Sequence, residues 1–148
     1  MFKELTQEEK QRQAKLRYMD ITDIAKEVRK DLKKEFGKTI KFSVRTNRFT
    51  GGQELNVKIK KAHRKYFKTL EEFEHEHQWE KMDNPNLYES LLTRFNNHDY
   101  NAIKDDVITK INKIANKYNY DNSVSQIDYF DKNYYCFVGG DKIEVMQD

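Results

Sequence analysis

The chain reads as an α+β fold in which amphipathic helices cover one face of a small antiparallel sheet. Three patterns predict this. Ile24, Val28, Leu32 and Phe36 recur every fourth residue, which puts them on one side of a helix. Ile40, Phe42 and Val44 then alternate with Lys41, Ser43 and Arg45, and Leu55, Val57 and Ile59 alternate with Asn56, Lys58 and Lys60. That period of two belongs to strands with one buried face. Near the end, Tyr134-Tyr135-Cys136-Phe137-Val138 is an aromatic run of strand character. At 148 residues one domain is expected over 1–148, with a polar N-terminal helix at its periphery.

Thr6-Gln7-Glu8-Glu9 has the form of a capping box and opens a helix over about 6–18. That helix lacks an apolar stripe, so it is either exposed or lies across a partner. A second start signal at Asp20 to Thr22 leads into the amphipathic helix, which Gly37 ends. The two alternating runs form an antiparallel hairpin, and the stretch from Thr46 to Gln53 between them exceeds a tight turn, predicting a bulged or projecting loop. Residues 62–82 have helical spacing in Tyr66, Phe67, Leu70, Phe73 and Trp79, with Thr69-Leu70-Glu71-Glu72 as an internal cap. Pro85 interrupts, a short helix follows over about 86–94, and a longer one over about 100–117 buries Ile103, Val107, Ile111, Ile114 and Tyr118. Gly139-Gly140-Asp141 reads as a tight turn between the strand ending at Val138 and a last strand over 142–145.

Apolar and charged residues each make up 36% of the chain, a balance that leans toward disorder; the 13% of aromatics and the periodic segments argue for a folded core. A single cysteine, Cys136, rules out an intrachain disulfide, suits a reducing compartment and fits a buried strand thiol. The N-terminus is too polar for a signal peptide, and no apolar run reaches the ~20 residues of a membrane helix. A soluble, cytoplasmic protein is expected.

Charge is distributed unevenly. Residues 37–68 carry ten Lys or Arg against one acid, Glu54, whereas residues 69–148 carry eight basic and sixteen acidic side chains. Strand pleating gathers the cations: the face opposite the aliphatics presents Lys41, Ser43, Arg45, Asn56, Lys58 and Lys60 together. The candidate binding residues are therefore Lys41, Arg45, Arg48, Lys58, Lys60, Lys61, Arg64 and Lys65, with Phe49 for stacking and Asn56 as a polar auxiliary. Phosphate backbones reward such a patch through counterion release, and exposed aromatics stack on unpaired bases. An acidic protein surface could meet it equally well, and a solvated edge that resists aggregation is the plainest alternative. The acidic half could itself dock on a basic channel by mimicking phosphate charge.

Other chemistry has little footing. His75 and His77 are two apart on a helix and diverge by about 200°, so they cannot share a metal ion. No Gly-x-Ser-x-Gly elbow accompanies Ser123, Asp121, Asp128 and Asp131, and the phosphate-binding glycine fingerprints are absent. No cofactor, metal or catalytic residue is expected.

The run from Ile24 to Phe36, then Ile40-Lys41-Phe42-Ser43-Val44-Arg45 and Gly51-Gly52, resembles the twenty-ninth class of large-polyvalent-protein-associated domains. Tyr118-Asn119-Tyr120-Asp121-Asn122-Ser123, with Asp128-Tyr129-Phe130-Asp131 and an aromatic strand, is similar to the end of that family. The resemblance spans about residues 20–140 and is weakest over 62–100; one departure is the basic stretch that follows the second strand. It implies an α+β protein of phage or conjugative elements with no assigned catalytic residues. The expected function is a non-enzymatic accessory protein that binds a host or defence nucleoprotein, in the manner of an anti-CRISPR or anti-restriction inhibitor, in the cytoplasm of a bacterial host. The alternative is direct nucleic-acid binding through the basic hairpin face. The oligomeric state stays open.

Overall fold

The computed structural model describes residues 4–124, 126 and 131–147. Thr6 opens α1 (Gln7–Arg17), its hydroxyl accepting from the Glu9 amide at 3.1 Å. Lacking an apolar face, α1 docks through polar contacts. Arg12 donates to the Lys117 and Asn119 carbonyls, Gln13 and Asn122 exchange amide hydrogen bonds, and Arg17 pairs with Asp131. The polar helix therefore packs against its own chain. Asp20 caps α2 (Ile21–Phe36), which ends at Gly37 with φ 58°. The Thr22 hydroxyl, helped by Arg48, holds the Asp20 carboxyl below the usual carboxylate range.

The hairpin is longer than its hydrophobic pattern. β1 (Ile40–Phe49) and β2 (Gly52–His63) pair antiparallel down to Phe49 opposite Gly52, leaving only Thr50 and Gly51 to turn the chain. The projecting loop expected over 46–53 is thus a tight turn, which Gly51 permits at φ 92°. Polar residues from Thr46 to Gln53 hide this ladder from a pattern search. A second irregularity lies between Lys41 and Phe42, which face Lys61 and Ile59, so Lys60 is the extra residue of a bulge. The bulge shifts the alternation by one, and Ile59 and Ala62, three apart, both point into the core.

β3 (Tyr135–Gly139) and β4 (Glu144–Met146) correct the sheet topology. Both run parallel to β2, β3 along Glu54–Lys58 and β4 along Lys61–His63, so the sheet is mixed and not wholly antiparallel. Gly139-Gly140-Asp141 accordingly makes no hairpin; it carries one edge strand past an interruption. Parallel pairing needs a long crossover, and the helices between β2 and β3 supply it. Gly140 sits at the step, where a Cβ would lie 2.9 Å from the Ile59 carbonyl oxygen and about as close to Ile143. The carbonyl is fixed backbone of β2, and the Ile143 side chain is itself buried in the core. Gly140→Ala is expected to cost about 1–3 kcal/mol in chemical denaturation, whereas Gly139→Ala, with open space around it, should be close to neutral.

The stretch read as one helix over 62–82 is several pieces. β2 runs on to His63, a 3-10 turn covers Arg64–Tyr66, and Phe67 bridges to Ile103. Thr69 and Glu72 then form a reciprocal capping box at the start of α3 (Leu70–Glu76). A break at His77 separates α4 (Gln78–Asp83), and Pro85 occupies the first position of α5 (Pro85–Asn96). Phe73 stacks on Phe95 and contacts Tyr88, giving this acidic helical appendage a small core of its own. Trp79, spaced as a core residue, is instead 73% exposed. Lys68 ties the appendage down: its side chain, 8% exposed, reaches Glu76 at 2.9 Å and Asp105 at 3.1 Å.

α6 (Asp105–Ala115) lies beside α2, and the two cover one face of the sheet. Ile24, Val28 and Leu32 meet Leu55, Val57, Ile59 and Ile111 in that core, and Tyr134 donates to the Ala115 carbonyl at 2.6 Å. The α+β architecture follows: helices on one side of a four-stranded sheet, the other side bare among the described residues. No described helix is long and apolar enough to cross a membrane.

Candidate functional site

The bare face of the sheet is ordered by strand register. Arg45, Asn56 and Phe137 form one row across β1, β2 and β3, and Ser43, Lys58 and Gly139 form the next. Lys41 and Lys61 face each other beyond the bulge, with Lys60 between these rows on β2. Ser43, Arg45, Asn56, Lys58 and Lys60 line a shallow depression of about 340 Å³. Lys41, Arg45, Lys58 and Lys60 are exposed and make no ion pair among the described residues. The carboxylates lie at the ends: Glu54 accepts from Asn47 and Asn56, and Glu144 pairs with Lys61 at 3.2 Å. Of these cations only Lys41 and Lys61 stand directly opposite each other; Arg45 faces Asn56 and Lys58 faces Ser43, so neutral polar partners separate the charges across the strands.

Of the residues proposed from sequence, Lys41, Arg45, Asn56, Lys58 and Lys60 come together here. Lys61 joins them at the edge with its charge offset by Glu144. Arg48 does not belong: residue parity turns it to the helix-covered side, where it pairs with Asp20 at the start of α2. Arg64 and Lys65 are exposed in the 3-10 turn beyond β2, with the Lys65 ammonium 5.2 Å from the Tyr66 ring centre. Phe49 is on the bare face but at the turn end, its ring 5.8 Å from that of Tyr135. Gly52 makes this contact possible, since a Cβ there would meet the Phe49 ring at 3.0 Å.

Tyr135 and Phe137 were missed as members of the face. Phe137 is 53% exposed, and Lys132 lies 4.8 Å from the centre of the Tyr135 ring. Their alternation with Cys136 and Val138 was visible; the strand they pair with was not. Among the described residues, three aromatic rings and four cations without an ion pair therefore share one open sheet face. Such a surface pairs with phosphate through its charges and with exposed bases through its rings.

Cys136 points the other way, packed against the core, and burial pushes its thiol up to about 11. Alkylation by iodoacetamide at about pH 8 should run roughly a hundredfold slower in the folded protein than in denaturant, read by mass spectrometry over time. Asp121 and Ser123 form a local turn, with the Ser123 amide donating to Asp121 at 3.0 Å; Asp128, Tyr129 and Phe130 lie outside the described residues. Among the described residues no three His, Cys, Asp or Glu side chains converge as a metal site.

Fold and face together define a small α+β protein with a cationic, aromatic-flanked sheet platform. Residues 19–147 match the model of large polyvalent protein associated domain 29, and the chain belongs to that family. Membership associates it with phage and mobile genetic elements. α1 lies before the matched region although it docks on it. Neither a curated protein nor a solved structure matches the chain.

Proposed function

We propose that the chain is a non-enzymatic accessory protein of phage or mobile elements that binds nucleic acid through its bare sheet face, inside the bacterial host. The observation that carries this reading is the grouping of Lys41, Arg45, Lys58 and Lys60, without ion-pair partners among the described residues, on the face that carries Phe137. Four cations meeting phosphates of a single strand give a log–log salt slope of about −3, from roughly 0.7 per contact. Fluorescence anisotropy of a labelled oligo-dT across a salt series measures it. Absence of binding at about 50 mM salt sinks the reading.

A second reading, in which the nucleic acid belongs to a host or defence nucleoprotein that the chain inhibits, has its own support. Trp79 and Met82 on α4 are 73% and 80% exposed among acidic neighbours, a surface suited to a protein contact. Co-purification from host lysate with and without nuclease separates the two: under the first reading every partner is lost on digestion.

A further inference from the structure

A different part of the molecule carries a second recognition surface. Among the described residues β1 is an edge strand with β2 as its one sheet neighbour. Beside it, Leu32 of α2 and Ile40, Phe42 and Val44 of β1 form the apolar floor of a groove of about 510 Å³. Its remaining side chains are Arg29, Lys33, Lys38 and Lys41, and among the described residues no carboxylate lines it. Lys33, Lys38 and Lys41 make no ion pair among the described residues.

Along this edge the outward amides are available for pairing, while the Val44 carbonyl is already engaged by Arg29. The His63 amide donates to the Thr39 carbonyl, so odd-numbered residues of β1 turn toward β2 and even-numbered ones away. The Val44 carbonyl agrees, since it accepts from Arg29 at 2.6 Å on the outer side. The amides of Phe42, Val44 and Thr46 thus face the free edge. A ten-residue edge strand with an apolar trough alongside has the geometry of strand addition, in which main-chain hydrogen bonds supply affinity and alternate side chains supply specificity.

We propose that this edge takes an extended, acidic segment of a partner protein as an added strand. Aliphatic side chains on the inward positions cover Leu32, Ile40, Phe42 and Val44. Carboxylates flanking the aliphatic run meet the cations around the groove, Lys33 and Lys38 among them, while those alternating with the aliphatics turn to the opposite face beside Lys41. Charge decides the class of occupant: a basic or neutral apolar strand would leave four cations unanswered or opposed. The proposal does not depend on nucleic-acid binding, because the groove lies on the helix side of β1 and shares only Lys41 with the bare face.

The test uses a peptide of alternating Val and Glu, with a pair of Glu at each end to reach the groove cations, added to the ¹⁵N-labelled full chain and followed by NMR. Shifts are expected at residues 29–46, and exchange at the Phe42, Val44 and Thr46 amides should slow by about tenfold or more. Lys33→Glu with Lys38→Glu, both exposed positions, should weaken binding by about tenfold, while Lys58→Glu changes it by less than about twofold. Three results overturn the proposal: no perturbation at millimolar peptide, equal binding of the Val–Lys counterpart, or perturbation centred on residues 56–60. Displacement by an oligonucleotide acting on the same three amides also overturns it, since nucleic acid would then be the occupant.

Discussion

Asn119→Ala is expected to destabilise the fold by about 3 kcal/mol, although residue 119 contributes nothing to the apolar core. The reason lies in what its amide holds. Its Oδ1 accepts from the Tyr120 and Tyr134 amides at 3.0 and 3.1 Å, and its Nδ2 donates to the Tyr134 carbonyl at 2.9 Å and to Asn116. One side chain thereby stands in for a strand at both backbone groups of Tyr134, just before β3. Truncation removes these bonds from the Tyr120 and Tyr134 amides and the Tyr134 carbonyl, in a buried segment, at about 1 kcal/mol each. In a chain of this length that corresponds to a fall in Tm of roughly 6–12 °C. Urea denaturation reads the same loss as a lower midpoint at unchanged slope. Asn116→Ala removes one of these bonds and should cost no more than about 1 kcal/mol. A loss below that for Asn119→Ala would mean that Tyr134 is held by its burial and its hydroxyl bond to Ala115. Hydrogen exchange should show the effect centred on β3, which carries Phe137 and Tyr135 onto the bare face.

Local periodicity revealed what local sequence controls. The stripe from Ile24 to Phe36, its stop at Gly37, the two alternating runs and the Thr69–Glu72 cap are each encoded within a few residues of one another, and each stands where the pattern put it. Partnership between distant segments was not encoded that way. Tyr135 to Gly139 has the same alternation whether it pairs parallel or antiparallel, so its direction along β2 and the mixed sheet escaped. The cationic face was legible because pleating alone sorts Lys41, Arg45, Lys58 and Lys60 from the aliphatics. Arg48 was misplaced because it was assigned to a loop; once the ladder is known to continue to Phe49, parity turns it to Asp20. Trp79 misled for a related reason: the helical spacing counted through His77, where the chain breaks.

Reversing two charges, Lys58→Glu with Lys60→Glu, should lower affinity for a single-stranded oligonucleotide by about a hundredfold at roughly 50 mM salt and cut the salt slope by about half. Both residues line the depression on the bare face, and neither has an ion-pair partner to lose among the described residues. Stability should hold or rise slightly, because the substitutions relieve repulsion among the cations of that face. That separates the result from unfolding, and a thermal melt beside the binding curve checks it. Arg48→Glu supplies the contrast. It makes the same change in charge at one position but on the helix-covered side, where it also sets two carboxylates together at Asp20. It should therefore lower the melting temperature and leave oligonucleotide affinity within about twofold, the scale of a remote charge at moderate salt. If Arg48→Glu instead weakens binding as much per charge as the pair on β2, association follows net charge and the sheet face has no special part in it. If Phe137→Ala in addition leaves single-strand and duplex affinities in the same ratio, stacking is absent as well. Loss confined to Lys58, Lys60 and Phe137, with Arg48 silent, is the pattern that a platform built by one strand pleat requires.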